Sequence, residues 1–466
     1  MAYLSTDKSF FYRQYLSLAL PMVMQGFIQS SLNMVDAIMI GRLGETQIAA
    51  VGLANQVVFI FIVMIFGINN GCSIFIAQFW GVKDTVKIKE IISIGLKVSI
   101  CLSTIFFVIS FVAPNIIMNI FSNDPDVILV GSRYLKILSF SFIFTAISYT
   151  YSTALKSTES VSIAIKISIL IISINTIINY FLIYGKFNFP RLGVDGAAIA
   201  TLVARAIEVL LITIIVFKNK KGIFIGVKEI FCFSGELFKQ YIKISGPIVF
   251  SSMLWVLGLS IYKIVYARMG TNSIVSINIV NALEALATVF FLNMANAGAI
   301  LIGKNIGASN YQTAKSYSKN LLALGLIIGA VTGLIMILCA ERFLSMYRVT
   351  DAVHDSSIKI IQILGTVLSV KAFNSMMILG IFRSGGDTKY GLIIDFVGLY
   401  VIGIPIALLG GFVWDLQIQW VYLLVFFEEV FKIVLAIPRY ISGKWIYNIV
   451  TNTKVFVDKK SKNSCQ

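Results

Sequence analysis

The sequence predicts an all-α polytopic membrane protein with twelve transmembrane helices in two pseudo-symmetric six-helix bundles. Three observations support this expectation. The chain of 466 residues is 58% hydrophobic and only 13% charged, whereas a soluble domain carries about 25% charged residues. Its apolar residues fall into twelve blocks, each long enough to cross a bilayer. Several residues of the first half also recur at a fixed spacing in the second half.

The composition excludes an ordinary soluble protein. The mean hydropathy is +0.88, so polar side chains are too few to cover the surface and lipid must surround much of it. The net charge of +16 comes from basic residues in short stretches between apolar blocks, which is typical of topology signals rather than of a nucleic-acid patch. The five cysteines have no paired spacing and His354 is the only histidine, so we expect no disulfide framework and no Cys/His metal site. We also expect no cofactor.

Each apolar block has the length of a membrane-spanning helix. About 20 helical residues cross a hydrocarbon core of roughly 30 Å, and the blocks are apolar on every face, unlike the alternating strands of a membrane barrel. The first block has no small-residue cleavage site, so we interpret it as a retained helix. The twelve helices are centred near Gly26, Phe59, Ser103, Ile143, Leu170, Val203, Val256, Phe290, Ile327, Leu368, Tyr400 and Val425.

The connecting loops alternate in charge. Lys8 and Arg13 precede the first helix, whereas the loop that contains Asp124 and Asp126 is acidic. Because positively charged loops stay on the cytoplasmic side, we expect both termini in the cytoplasm, as an even number of helices requires.

An internal repeat relates the two halves. At an offset of 226 residues, Pro21 matches Pro247 and Gly44 matches Gly270, and Asn55 and Gly81 also find identical partners. Since each half holds an even number of helices, the halves have the same orientation, as in alternating-access carriers with a substrate site between two lobes. We expect one lobe at residues 1–226, the other at 227–452 with an inter-lobe linker at 227–243, and a basic cytoplasmic tail at 453–466.

One acid in the first helix and polar residues in two later helices could form a cation site. An unpaired Asp36 costs about 2.5–3.5 kcal/mol within a bilayer, and Asn175 and Asn179 project from one face of helix 5. Thr201 follows a run of small residues in helix 6, where helices can approach closely. These hard oxygen atoms suit Na⁺, in which case all four residues are metal ligands, and the carboxylate could bind H⁺ instead. Alternatively, the two asparagines only form interhelical hydrogen bonds.

The second half offers fewer candidates. Glu284 in helix 8 and Lys263 in helix 7 could form a buried ion pair, or Glu284 could take part in coupling. Asp395 in helix 11 could be interior or interfacial. Charges at cytoplasmic helix ends are interpreted as capping and gating groups, namely Lys156, Arg383 and Asp387. Three charges on helix 12 are spaced to pair with one another and are interpreted as packing, namely Glu428, Glu429 and Lys432.

Several segments, in order along the chain, resemble the multidrug and toxic compound extrusion (MATE) family of transporters, over roughly Arg13 to Tyr447. The resemblance implies a V-shaped pair of six-helix bundles that exports amphipathic, often cationic organic compounds in exchange for Na⁺ or H⁺. The segments are LPMV at 20–23, NMVDA at 33–37, GRLG at 41–44, IAAVG at 48–52, FPRLGVDGAAIAT at 189–201, FRSGGDT at 382–388, EEVFK at 428–432 and KW at 444–445.

The resemblance also bears on individual residues. The family's amino-terminal cation site is built from an Asp on helix 1, polar residues on helix 5 and a Thr on helix 6, which correspond to Asp36, to Asn175 and Asn179, and to Thr201. The chain departs from the family at Ser251 and the serine after it, where many relatives have Asn-Glu. This departure puts cation coupling through the second lobe in doubt.

The sequence therefore predicts a cation-coupled antiporter that exports cationic drugs by alternating access, functions as a monomer and lies in a bacterial inner membrane. It would need only small-molecule substrates, the bilayer and a transported ion. The alternative is a flippase or exporter of a lipid-linked or polar metabolite on the same fold, but the interior positive charges that it would use are few: Lys263, Lys371 and Arg205. An intramembrane enzyme is not expected, because no apolar block contains a DxxxD carboxylate pair or a histidine. The DxxxD spacing of Asp351 and Asp355, with His354 inside it, lies between two apolar blocks.

Overall fold

The computed structural model describes residues 8–218, 234–347 and 349–454. Most of these residues are helical, and a short antiparallel hairpin joins β1 (Tyr447–Asn448) to β2 (Thr453–Lys454). The expected all-α membrane fold is thereby confirmed. Residues 227–233 of the predicted linker lie outside the described residues, whereas residues 235–243 begin a helix. Residues 455–466 of the predicted tail also lie outside the described residues.

Contacts divide the chain into two units, and the first bundle is the unit Met24–Val249. Its core gathers side chains from several helices around Phe61, whose ring lies 4.6 Å from that of Phe142. Its helices are the later part of α1 (Lys8–Gly41), α2 (Glu45–Gly81), α3 (Thr85–Val112), α4 (Pro114–Phe121), α5 (Pro125–Ser139), α6 (Ser141–Ser157), α7 (Val161–Tyr184), α8 (Val194–Lys218) and the first part of α9 (Gly235–Arg268).

The second bundle is the unit Met1–Val23 with Phe250–Gln466. The start of α1 packs within it, where the Tyr15 hydroxyl donates to the Met294 carbonyl at 3.0 Å. Its other helices are the later part of α9, α10 (Thr271–Gly307), α11 (Tyr311–Leu344), α12 (Asp351–Phe382), α13 (Thr388–Val413), α14 (Ile418–Val425) and α15 (Phe427–Ile441), with π-helical turns at Met376–Phe382, Val397–Gly403 and Leu409–Val413.

All twelve predicted helix centres lie in helical segments. Among the described residues, nine helices are long and apolar enough to cross a membrane. The pair of α5 and α6, bent by 47° at their junction, passes the same test together, which makes up to ten candidate spans. Helix α1 and the pair of α14 and α15 are not among these candidate membrane spans. Twelve spans therefore remain a prediction.

The internal repeat extends to turn geometry. Helices α2 and α10 each have 37 residues, and each follows a glycine with positive φ, 137° at Gly44 and 123° at Gly270. A Cβ atom disfavours this conformation, so glycine is required at both positions. After the helices, Lys83 and Ser309 adopt left-handed φ values of 59° and 61°. Each of these pairs is separated by the same 226 residues that relate the sequence halves.

Close helix contacts in the second bundle depend on small residues. A Cβ atom on Gly333 of α11 would lie 2.0 Å from the Gly365 carbonyl oxygen of α12. Because this neighbour is backbone, the clash cannot be relieved by a side-chain rotation. Helices without a hydrophobic driving force in lipid use such small residues to pack closely.

Gly333→Ala should therefore lower the free energy of unfolding by about 1–3 kcal/mol, as overpacking does. The measurement is the thermal unfolding of purified protein in detergent. Gly52→Ala is the matched control, because its added methyl group meets nothing within 4 Å, and it should leave the melting temperature unchanged or raise it. Equal melting temperatures for the two variants would contradict the proposed packing.

Candidate functional site

In the first bundle, Asn179 of α7 is hydrogen-bonded to Asp36 of α1 and to Asn175 of its own helix. The Asn179 amide nitrogen donates to Asp36 Oδ1 at 2.8 Å and to Asn175 Oδ1 at 3.1 Å. The second bond follows from the i, i+4 spacing, which places both amides on one helix face. One asparagine side chain thus uses both of its N–H donors on two acceptors.

The same asparagine has an oxygen atom without a partner. Asn175 and Asn179 are 4% and 1% exposed, and within the described part of the chain Asn179 Oδ1 accepts no hydrogen bond. Leaving a buried acceptor unsatisfied costs about 1–3 kcal/mol. A neutral amide oxygen beside a carboxylate is the kind of atom that a monovalent cation can bind, so the residues present fit the ion that the sequence predicts.

Thr201 lies on α8 and is not hydrogen-bonded to this group. Its hydroxyl donates to the Ala197 carbonyl at 3.0 Å, one turn earlier on the same helix. This bond uses the proton and leaves the oxygen lone pairs as acceptors. Thr201 can therefore accept or ligate, but its direct bond is to its own helix.

An ion pair on α8 was not among the predicted site residues. Arg205 Nη1 lies 2.7 Å from Glu208 Oε2, and both side chains are less than a quarter exposed. Arg205 also interacts electrostatically with Asp36. The i, i+3 spacing of two opposite charges inside an apolar block was the signal in the sequence that could have indicated this pair.

In the second bundle, Glu284 pairs with Lys371 rather than with Lys263. The Lys371 ammonium lies 2.6 Å from Glu284 Oε1, and the Tyr422 hydroxyl donates to Glu284 Oε2 at 3.1 Å. The predicted Glu284–Lys263 pair is therefore wrong. Lys263 lies on the exposed face of α9, whereas the buried face of that helix carries Tyr262.

Asp395 faces the interior of the second bundle. Its Oδ2 accepts a hydrogen bond from the Ser251 hydroxyl at 2.6 Å, so Ser251 of α9 contacts an acid on α13. A small cavity lies beside this contact and is lined by Ser251, Leu254, Trp255, Asp395, Leu399, Glu428 and Lys432.

The charges of the last helix pair as their spacing predicted. Lys432 contacts Glu428 and lies 3.5 Å from Glu429. The Tyr262 hydroxyl donates to Glu428 at 2.6 Å, and the Asn374 amide donates to Glu429 Oε2 at 2.6 Å. These contacts fix the helix against its neighbours and compensate most of its charge.

The three predicted capping and gating groups make different contacts. Asp387 occupies the N-cap position of α13, but its side chain forms no capping hydrogen bond there. The Arg439 guanidinium instead donates to both carboxylate oxygens of Asp387, at 2.6 and 3.1 Å. A pair of hydrogen bonds from a guanidinium is stronger than a single hydrogen bond from the backbone. Lys156 lies in the last turn of α6 and interacts with Glu208, and Arg383 interacts with Asp395.

Comparison with known families identifies this arrangement. The family model described as MatE matches residues 21–181 and 247–409, which together make up more than half of the chain. The chain belongs to the MATE family. The two matched segments begin 226 residues apart, at the spacing of the internal repeat. Membership in this family makes the chain a multi-pass membrane transporter of small molecules and not an enzyme.

Individual relatives span nearly the whole chain. The chain is 24% identical to the uncharacterized transporter YisQ of Bacillus subtilis, over 90% of this chain and 93% of that protein. It is 22% identical to the probable multidrug resistance protein NorM of Thermotoga maritima, over 93% of each. A mutant of the Vibrio cholerae MATE transporter VcmN has a similar fold, with a TM-score of 0.84 at 18% identity over 95% of this chain and 99% of that chain.

Replacing Lys371 or Lys263 tests the ion pair between Lys371 and Glu284. Lys371→Met should lower the free energy of unfolding by about 1.5–3 kcal/mol, because it leaves the Glu284 carboxylate without its cation. Lys263→Met removes the same charge from an exposed position and should change stability little. Thermal unfolding in detergent measures both. The Glu284→Gln, Lys371→Met double variant should recover part of the loss, and a larger loss from Lys263→Met than from Lys371→Met would contradict the pairing.

Proposed function

We propose that this MATE protein is a multidrug efflux antiporter that exports amphipathic, mostly cationic organic compounds by alternating access in exchange for Na⁺ or H⁺. The coupling ion binds the first-bundle cluster of Asp36, Asn175, Asn179 and Thr201. The protein lies in a bacterial inner membrane with both termini in the cytoplasm, and it functions as a monomer. The observation that carries the proposal is the contact between Asp36 and Asn179, whose buried amide oxygen has no hydrogen-bond partner in the described part of the chain.

Asp36 is the group whose charge the coupling ion neutralises. The carboxylate accepts a direct hydrogen bond from the Asn179 amide at 2.8 Å, and its interior position in a membrane helix is costly while it stays ionised. Binding of H⁺ or Na⁺ removes that cost. For Na⁺, the amide oxygens and the Thr201 hydroxyl oxygen supply further ligands of the preferred kind.

Ion binding also changes the interactions that hold the surrounding helices together. Once the carboxylate is neutralised, the Asn179 amide is no longer held by a charged acceptor, and α1, α7 and α8 can repack. A substrate that binds better to one packing than to the other is then released as the ion binds. The free energy shared by two ligands in this way is typically about 1–3 kcal/mol.

Two features support the proposed substrate class. Two curated relatives, the NorM of Thermotoga maritima and YoeA of Bacillus subtilis, are described as probable multidrug resistance proteins. Helix α1, which carries Asp36, also presents exposed Met24, Phe27 and Met34. Flexible thioethers and aromatic faces adapt to apolar cations of different shapes.

Asp36→Asn should abolish ion-driven export, because the amide cannot bind H⁺ or supply a negative charge to Na⁺. The measurement is uptake of an ethidium-like dye by inverted vesicles or proteoliposomes. An imposed H⁺ gradient and an imposed Na⁺ gradient are tested separately at fixed membrane potential. We expect wild-type uptake with one of the two gradients, and at least a tenfold loss in the variant.

Asp126→Asn is the matched control, since Asp126 is an exposed acid in the first turn of α5 and the same change there should leave uptake intact. Equilibrium dye binding to purified Asp36→Asn protein separates a loss of coupling from a loss of folding. Unimpaired gradient-driven uptake by the folded variant would remove Asp36 from the mechanism.

A further inference from the structure

Three residues of α8 form a stripe that leads away from the proposed cation site. Thr201, Arg205 and Glu208 are spaced by four and three residues, so a helix of 3.6 residues per turn places them on one face. Thr201 belongs to the proposed ion site. Arg205 lies one turn further along the helix, and Glu208 lies one turn beyond Arg205.

Four charged residues in and beside this stripe alternate in sign. Asp36 interacts with Arg205, Arg205 is paired with Glu208 at 2.7 Å, and Glu208 interacts with Lys156 at the end of α6. With Asp36 ionised, two negative and two positive charges balance. When a monovalent cation or a proton neutralises Asp36, the set carries a net charge of +1.

Because this surplus is partly shielded from water, it raises the free energy more than it would in solution. The electrostatic cost of this surplus is lowest when the guanidinium stays against Glu208, as far from Asp36 as its side chain permits. In the structure, Asp36 is held by Asn179 and Arg205 by Glu208. This arrangement leaves the carboxylate open to an ion.

We propose that Arg205 is an internal cation that competes with the coupling ion for Asp36, and that Glu208 holds Arg205 away while the ion is bound. After the ion leaves, the long arginine side chain turns from Glu208 towards the ionised Asp36 and takes the place of the ion. The inference rests on the proposed function, because it assumes that Asp36 binds the coupling ion. It assigns Arg205 and Glu208 as positioning residues that set the affinity of the site.

Other polar groups surround these charges. Tyr134 of α5 interacts with Asp36, and Tyr149 of α6 interacts with both Arg205 and Glu208. Both phenols are neutral partners at physiological pH. They can solvate the moving guanidinium, but they do not change the count of charges.

Infrared difference spectroscopy of purified protein in lipid tests the competition. One series adds NaCl at fixed pH, and another lowers the pH in choline chloride. The signal is the ion-induced carboxylate change that wild type shows and Asp36→Asn lacks. Arg205→Gln should lower the half-saturating ion concentration about tenfold, and Glu208→Gln should raise it about tenfold, within the range typical of coupled sites.

The double variant separates competition from simple attraction through space. If Glu208 acts by holding Arg205, Glu208→Gln has no further effect once Arg205→Gln is present. If its negative charge attracts the ion directly, the double variant binds the ion more weakly than Arg205→Gln alone, and that result would overturn the proposal. Equal affinities of wild type and both single variants would overturn it as well.

Two further variants complete the experiment. Arg205→Lys keeps the positive charge and should stay close to wild type, whereas a purely structural role of the guanidinium predicts the same change as in Arg205→Gln. Glu90→Gln is the matched control, because Glu90 pairs with Lys87 at i, i+3 in the same way, and it should not change ion affinity. If neither series gives a signal that depends on Asp36, the proposed function itself fails and this inference fails with it.

Discussion

A carboxylate in a membrane helix must be neutralised or solvated by the protein, because lipid supplies no hydrogen bonds. In this chain the Asn179 amide solvates Asp36 directly. The amide also binds Asn175, so its two donors are used, and its oxygen has no hydrogen-bond partner among the described residues. The acid is therefore tolerated in a state that is only partly satisfied. A fully paired acid would be more stable, but it would have no reason to bind an ion.

The two bundles share their helical framework but not the polar groups inside it. Equivalent turns recur at Gly44 and Gly270, and α2 and α10 have equal lengths. In the first bundle, however, Asp36 is bonded to a neutral amide. In the second bundle, Glu284 and Glu428 are each bonded to a lysine. Duplication preserved the helix packing, which depends on small and apolar residues, and left the interior charges free to diverge.

This divergence explains which features could be predicted from the sequence. Hydropathy predicted the helical membrane fold, and the i, i+4 spacing placed Asn175 and Asn179 on one helix face, because each depends on residues close together in the chain. The partner of Glu284 depends on how two distant helices are rotated, and periodicity does not specify that rotation. Lys263 was nearer in sequence, but it lies on the exposed face of α9.

The same reason accounts for two other features. Ser251 and Asp395 are 144 residues apart, and their contact at 2.6 Å could not be deduced from either helix alone. At Asp387 the local expectation of a helix cap was outweighed by Arg439, 52 residues away, which binds both carboxylate oxygens. Arg205 and Glu208 are the opposite case, since their pairing is local and was visible in the sequence.

The amide at Asn179 limits how many charges the proposed site can hold. A carboxylate there would give two adjacent acids, which would hold a monovalent ion more tightly and leave one negative charge uncompensated after it bound. With an amide, one ion neutralises the only acid of the cluster. The balanced charges of Asp36, Arg205, Glu208 and Lys156 then change by one elementary charge in each binding step. An internal guanidinium can offset that change because it carries a single charge too.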